Sequence, residues 1–383
     1  MFKKFSFACL FLASIWFQNA AWAQKETNIW YFGERAGLDF SSGKPVALAN
    51  SMLSTMEGCA TISDAGGNLL FYTNGVSVWN REHKLMPDGN RLMGHRSSTQ
   101  SAVIVPRPLN PNIYYIFTAD LQSQLYGLRY SEVDMKLQNG MGDIAKKNNF
   151  LISPVSEKLT AVKHSNNTDF WVITHKWDSD GFYAYKVTAA GVSRQPVVSN
   201  VGSVHKGKNK EAIGAMKVSP DGKKIALALW RDSNKFEVFD FNASTGKVSN
   251  PISFDNYEEA YGVEFSPDGT KLYGTTNGIG NVPPQIWQFN LLGSRQAVEE
   301  SPTLIAVSKA DKIGSLQLGP DGKIYLAKEK ETTLGVINNP NAPGLGCNYV
   351  DEGQMLDKES HSELGLPNFV QSYFFNVRYS QLR

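Results

Sequence analysis

The sequence predicts an all-β fold, a seven-bladed β-propeller whose last blade is closed by strands from the N- and C-terminal ends of the chain. Three observations carry that reading: a turn that recurs at the period of one blade, alternating apolar strands around each copy, and two end fragments that make a blade only together. The turns are Ser219-Pro220-Asp221-Gly222-Lys223, Ser266-Pro267-Asp268-Gly269-Thr270-Lys271 and Gly319-Pro320-Asp321-Gly322-Lys323, spaced by 47 and 53 residues. Proline presets φ for a type I turn, Asp can bond its local backbone, and Gly supplies the left-handed position that closes a bulged hairpin.

In chain order, residues 1–23 read as a cleavable signal peptide. Lys3 and Lys4 precede an apolar run from Phe5 to Phe17, and Ala21-Trp22-Ala23 offers the small residues a signal peptidase reads. The propeller is therefore expected over 24–383 as a single domain, starting at Gln24. The leader run is too short to span a bilayer and no later segment rivals it, so no transmembrane span is expected. Six repeat units follow. The first three have degenerate turns, at Ser63–Gly66, Pro108–Asn112 and Ser165–Thr168, before strands at Asn68–Tyr72, Ile113–Phe117 and Phe170–Ile173. The fourth runs from Ala212 to Phe254, the fifth starts at Tyr261, and the sixth at Ile313. Outside them lie Asn28–Leu48 and Pro367–Phe374. Together these supply three outer strands and one innermost strand, a seventh blade that removes the open edge.

Composition narrows the partners. Two of the 38 Lys and Arg lie in the leader, which leaves basic residues equal in number to the 36 acidic ones. A neutral surface argues against nucleic acid and against strong attraction to anionic lipid. Cys59 should begin an innermost strand and Cys347 an outermost one, at opposite faces, so the two are expected to be unpaired.

Trp30-Tyr-Phe-Gly33, Gly37-Leu-Asp-Phe40, the stretch Glu57–Asp64, Asn68-Leu-Leu-Phe-Tyr72, Ser101–Pro106, Leu128-Arg-Tyr-Ser131 and Gly365-Leu-Pro-Asn-Phe369 together resemble a β-propeller module of exported Bacteroidetes proteins. That module often precedes adhesion domains and a type IX secretion sorting signal, and occurs in gliding-motility-associated proteins. The turns also resemble the WD40-like repeat of Tol-associated propellers. Only eight residues follow Phe375, without a sorting domain, so the resemblance implies a periplasmic protein, with the cell surface or secretion as alternatives.

Counting back eight positions from each turn finds Glu157, Glu211, Glu258 and Asp311, with Glu57 and Gln100 near the same place in the first two blades and Lys158, Lys210 and Lys312 beside three of the acids. This register puts them at one mouth of the central channel. Such a ring could grip a basic ligand or hold a cation such as calcium, or simply be solvated charge paired with the lysines. No cofactor is otherwise expected. Gly58, Gly214, Gly262 and Gly314 sit just inside the ring, where close backbone approach is the expected reason. Trp79, Trp171, Trp230 and Trp287 read as core, and Trp177 as the exposed aromatic. No phosphate loop, calcium loop, zinc spacing or nucleophile elbow is intact. His164 and His175 flank one hairpin, where they are expected to be satisfied polar residues. The expected function is a non-catalytic binding or protein-interaction propeller of the bacterial envelope, partnered by an envelope protein. An accessory subunit of the type IX secretion or gliding apparatus and a carbohydrate-active enzyme are the alternatives.

Overall fold

Seven antiparallel sheets surround one axis in the computed structural model, which describes residues 24–278, 280 and 282–375; the expected signal peptide lies outside the described residues. Blades 2 to 6 each carry four consecutive strands, with inner strands Ala102–Pro106, Val155–Lys163, Met216–Val218, Ala260–Phe265 and Ile313–Leu318. Blade 3 adds the short pair Gly191–Val192 beside its third strand. Blade 1 has three strands, Ala60–Ser63, Leu69–Thr73 and Val78–Asn80. Inner strands are buried along almost their whole length because both faces meet neighbouring blades.

The recurrent turns form as their residues dictate. Gly222, Gly269 and Gly322 have φ of 70°, 70° and 78°, and their N–H groups donate to the carbonyls of Ser219, Ser266 and Gly319 at 2.8, 2.8 and 2.9 Å. In the two serine-bearing copies the hydroxyl donates to the turn Asp at 2.6 and 2.7 Å. In the third, Asp321 accepts from the Tyr325 hydroxyl instead.

Blade 7 takes its outer strands, Ile29–Phe32, Ala36–Asp39 and Val46–Leu48, from the N-terminal side. The innermost place is filled from the other end of the chain, with one difference from expectation: residues 361–368, rather than a strand over Pro367–Phe374, lie between blades 6 and 1. Isolated bridges hold them, Glu34 with His361 and Cys59 with Pro367. Pro367 has no N–H to extend a ladder, and Gln371–Phe374 coils into a 3₁₀ turn.

This segment then runs along the channel. Leu364 donates its N–H to Met56 O, and its carbonyl accepts from Ser315 N. Asn368 Nδ2 reaches both Ala102 O and Leu159 O, at 3.3 and 2.8 Å. Val370 bridges Ala161, and Ser372 Oγ accepts from Lys163 N. The closing chain thus passes from the start of the inner strands to their turn-bearing ends.

The inner glycines mark close backbone approach, as expected. A β-carbon on Gly58 would stand 2.2 Å from Ser101 N, and one on Gly314 2.0 Å from Leu364 O. Cys59 and Cys347 are both buried and unpaired. Two expectations are corrected. Trp177 is buried, its backbone N–H held by Pro154 O. His175 is not the satisfied polar residue expected: it stacks on His205, which the fourth strand of the blade brings alongside, with ring centroids 3.5 Å apart. Three of the four ring nitrogens in that pair, His175 Nε2 and both of His205, are buried without a hydrogen bond.

Candidate functional site

In an up-and-down blade the start of strand one and the end of strand two share a face. At that face a cavity of about 560 Å³ opens on the axis, lined by Glu57, Lys210, Trp230, Arg231, Glu259, Tyr261, Asn277, Lys312 and Glu329, with Met56, Ile213 and Leu364 as apolar wall. Leu364 belongs to the closing segment, so the chain that seals the ring also lines this mouth.

Trp230, Asn277 and Glu329 are each the residue that immediately follows the second strand, Lys224–Leu229, Lys271–Thr276 and Ile324–Lys328 respectively. They are repeat-equivalent positions. Counting forward eleven positions from the first residue of the turn finds Trp230 and Asn277; Glu329 stands one position short of that count.

Four polar atoms lining this one cavity, Glu57 Oε2, Trp230 Nε1, Tyr261 OH and Asn277 Oδ1, make no well-formed hydrogen bond; Tyr261 has Glu57 and Thr99 as loose polar neighbours, and Trp230 has Glu259. Buried polar groups are normally well paired, so four poorly paired ones at one place leave hydrogen-bonding capacity for a ligand. Burial, with the Glu157 carboxylate behind it, holds the Glu57 carboxyl well above its ordinary range. Burial also pushes the Tyr261 hydroxyl up, reinforced by Glu57 and Glu157. Arg231 lies over the Trp230 ring, 4.4 Å from its centroid. Its Nε also faces Glu259 Oε1 at 3.6 Å, and Lys312 faces Glu329 at the same distance.

The structure brings Glu57, Lys210 and Lys312 together at this cavity and distributes the other expected residues elsewhere. Glu157 is fully buried between blades 2 and 3, where it accepts from Thr99 N, Thr99 Oγ1 and Gln122 N. Lys158 points the other way along the same strand, and its Nζ donates to Ala212 O and Ile213 O. Burial brings that ammonium down to about 7. Neither side chain is the solvated loop charge considered from sequence. Gln100 is a stitch rather than a surface group: its amide oxygen accepts from Leu159 N and Met216 N and its nitrogen donates to Met216 O, joining blades 2, 3 and 4. Glu211 accepts from Lys208 N and borders a smaller hollow of about 160 Å³ with Lys210 and Arg231. Glu258 and Asp311 are exposed and do not line the cavity.

Glu259 takes the place expected of Glu258. It adopts φ of 57°; in the sixth blade too the cavity is lined by Lys312, one residue past the counted Asp311. Trp230 is likewise a cavity residue and not core. Among the described residues, no group of three or more His, Cys, Asp or Glu side chains is placed to hold a metal ion. Among them too, no helix is long and apolar enough to cross a membrane.

No family model matches the sequence, and no curated protein is detectably similar to it. Solved structures are similar in fold. One from Bacteroides uniformis, provisionally described as a 6-phosphogluconolactonase, aligns with a TM-score of 0.52 at 13% identity over 87% of this chain and 97% of that one. A gluconolactonase from Xanthomonas campestris gives 0.39 at 12% identity over 65% and 74%, and a protein of Agrobacterium tumefaciens provisionally described as TolB gives 0.38 at 12% over 70% and 87%. The first of these likenesses agrees with the β-propeller architecture described above and bears on fold alone; that architecture hosts binding proteins and enzymes alike.

Proposed function

We propose that this chain is a non-catalytic binding propeller of a Gram-negative cell envelope, exported by residues 1–23 as a signal peptide, and that it engages its partner through the axial cavity at the inner-strand starts. The observation that carries this reading is the convergence on one cavity of four buried polar atoms without a well-formed hydrogen bond. The envelope placement is supported by the leader sequence and by the resemblance to exported Bacteroidetes propellers. A role beside the type IX secretion or gliding apparatus is the narrower form of the same proposal.

Affinity capture of the protein with its partners from native envelopes tests it. The expected result is a protein partner retained by the wild type and lost with Trp230→Ala or Lys210→Glu. Recovery of a secretion complex would assign the accessory role. Capture is expected to survive EDTA; loss on chelation, restored by calcium, would instead place a cation at the mouth. Turnover of nitrophenyl glycosides that is abolished by Glu57→Gln would overturn the non-catalytic reading in favour of a carbohydrate-active enzyme.

A further inference from the structure

We propose that the axial cavity binds a neutral, hydroxyl-rich ligand, the one or two terminal sugar rings of a glycan; this rests on the cavity being the binding site. Its poorly paired hydrogen-bonding groups define the class. Trp230 Nε1 can only donate, Asn277 Oδ1 can only accept, and Tyr261 OH can do either. Glu57, whose carboxyl is raised by burial beside the Glu157 carboxylate, can accept, and in its protonated form also donate. A ligand serving all four must offer donors and acceptors side by side, as vicinal hydroxyls do.

Charge excludes the main competitors. Three cations and three carboxyls line the cavity, and two of the cations already face carboxylates, Arg231 with Glu259 and Lys312 with Glu329. An anion such as a phosphate would meet Glu259 and Glu329, and a cation would meet Arg231 and Lys312. Lys210 forms no ion pair among the described residues, but it stands exposed at the rim, where one hydrated ammonium does not make a phosphate site. The apolar wall of Met56, Ile213 and Leu364, with the Trp230 ring, supplies surface for the C–H faces of a sugar. About 560 Å³ lies within the range, roughly 300–1,000 Å³, of small-molecule sites.

The test is calorimetric titration of the mature protein with cellobiose, maltose and N,N′-diacetylchitobiose, compared with glucose 6-phosphate and tetra-alanine, in low and high sodium chloride. At least one disaccharide is expected to saturate the protein with an affinity unchanged by salt, since no net charge is exchanged. Tyr261→Phe and Trp230→Phe should each weaken it about three- to tenfold, the effect of one hydrogen bond. Tyr261→Phe should melt close to wild type, because its hydroxyl makes no well-formed hydrogen bond in the free protein; Trp230→Phe also gives up ring packing on Ile213, Tyr261 and Leu364 and the Arg231 contact, so its binding loss is read against its own melting temperature. A merely structural role for the Tyr261 hydroxyl would lower the melting temperature. Binding of glucose 6-phosphate or peptide alone, or disaccharide affinity unaffected by Tyr261→Phe, would overturn the proposal. If no disaccharide binds while Trp230→Ala still abolishes partner capture, the ligand class is wrong and the binding face stands. If capture is also unaffected, both readings fall.

Discussion

His175 and His205 stack in a fully buried position, edge-on to Phe182, and only His175 Nδ1 approaches a partner, the Lys176 carbonyl at 3.0 Å. Burial and the nearby Lys158 ammonium depress the imidazoles, His175 to about 3, with the two rings also repelling each other's charge. A depressed histidine stabilises the fold while neutral, so that contribution is complete above pH 6.5. It is lost as pH falls from there toward the folded value, because the unfolded chain then binds the proton and the folded one does not. Each ring should therefore cost roughly 1–2 kcal/mol by pH 5. Urea titrations at pH 8 and pH 5 should show this fall, and His205→Phe should flatten it; an unchanged pH slope in that variant would refute the assignment. Neither the stack nor the deep burial of Lys158 was legible in the sequence. Residue spacing brings His164 and His175 to one hairpin, whereas the contact that forms is with a strand about thirty residues on, chosen by the sheet.

Between inner strands, the side chains of three successive blades form a buried relay: Lys217 Nζ donates to Gln317 Oε1 at 2.5 Å and faces Glu264 Oε2 at 3.6 Å. Glu264 in turn accepts from Phe265 N and Leu318 N. Burial lowers the lysine and raises the glutamate, and their mutual attraction opposes both shifts. Removing one member strands the other: Glu264→Ala is expected to cost about 3–5 kcal/mol, while Glu264→Leu combined with Lys217→Met should be much milder. Denaturant melts of the two variants check the contrast, and equal losses would contradict it. Gly365 makes a comparable demand by geometry, since a β-carbon there would lie 1.8 Å from Glu57 O. Gly365→Ala is expected to lower the melting temperature by several degrees. At this scale the recurrent turns were legible because their Pro, Asp and Gly act locally. The mouth residues were legible only in part. Alternation sends Glu157 and Lys158 into opposite blade interfaces, and in the fifth and sixth blades the cavity is lined by Glu259 and Lys312, one position past the counted acids, effects that a fixed count from the turns does not carry.

Across the whole molecule, the number of blades and the sharing of one blade by both chain ends follow from the repeat period and the leftover fragments, and both are present. What the repeat did not disclose is the path of residues 361–372 down the axis, because it depends on side-chain bonds such as those of Asn368 and on no regular ladder. Asn368→Ala should cost about 1–3 kcal/mol by leaving two inner-strand carbonyls without that donor. A chain ending at residue 360 should lose its sharp thermal transition, and a synthetic peptide of residues 361–375 added in trans should restore it. A truncated chain that still melts sharply would show the axial segment to be dispensable. If the segment is needed, there is also a consequence in time. Residues 361–372 are made after the strands of all seven blades, so the propeller has no finished form while the chain is being synthesised. Until they emerge the inner strands lack the segment that ties them to one another, so closure of the ring is the last event of folding and waits on the last residues made.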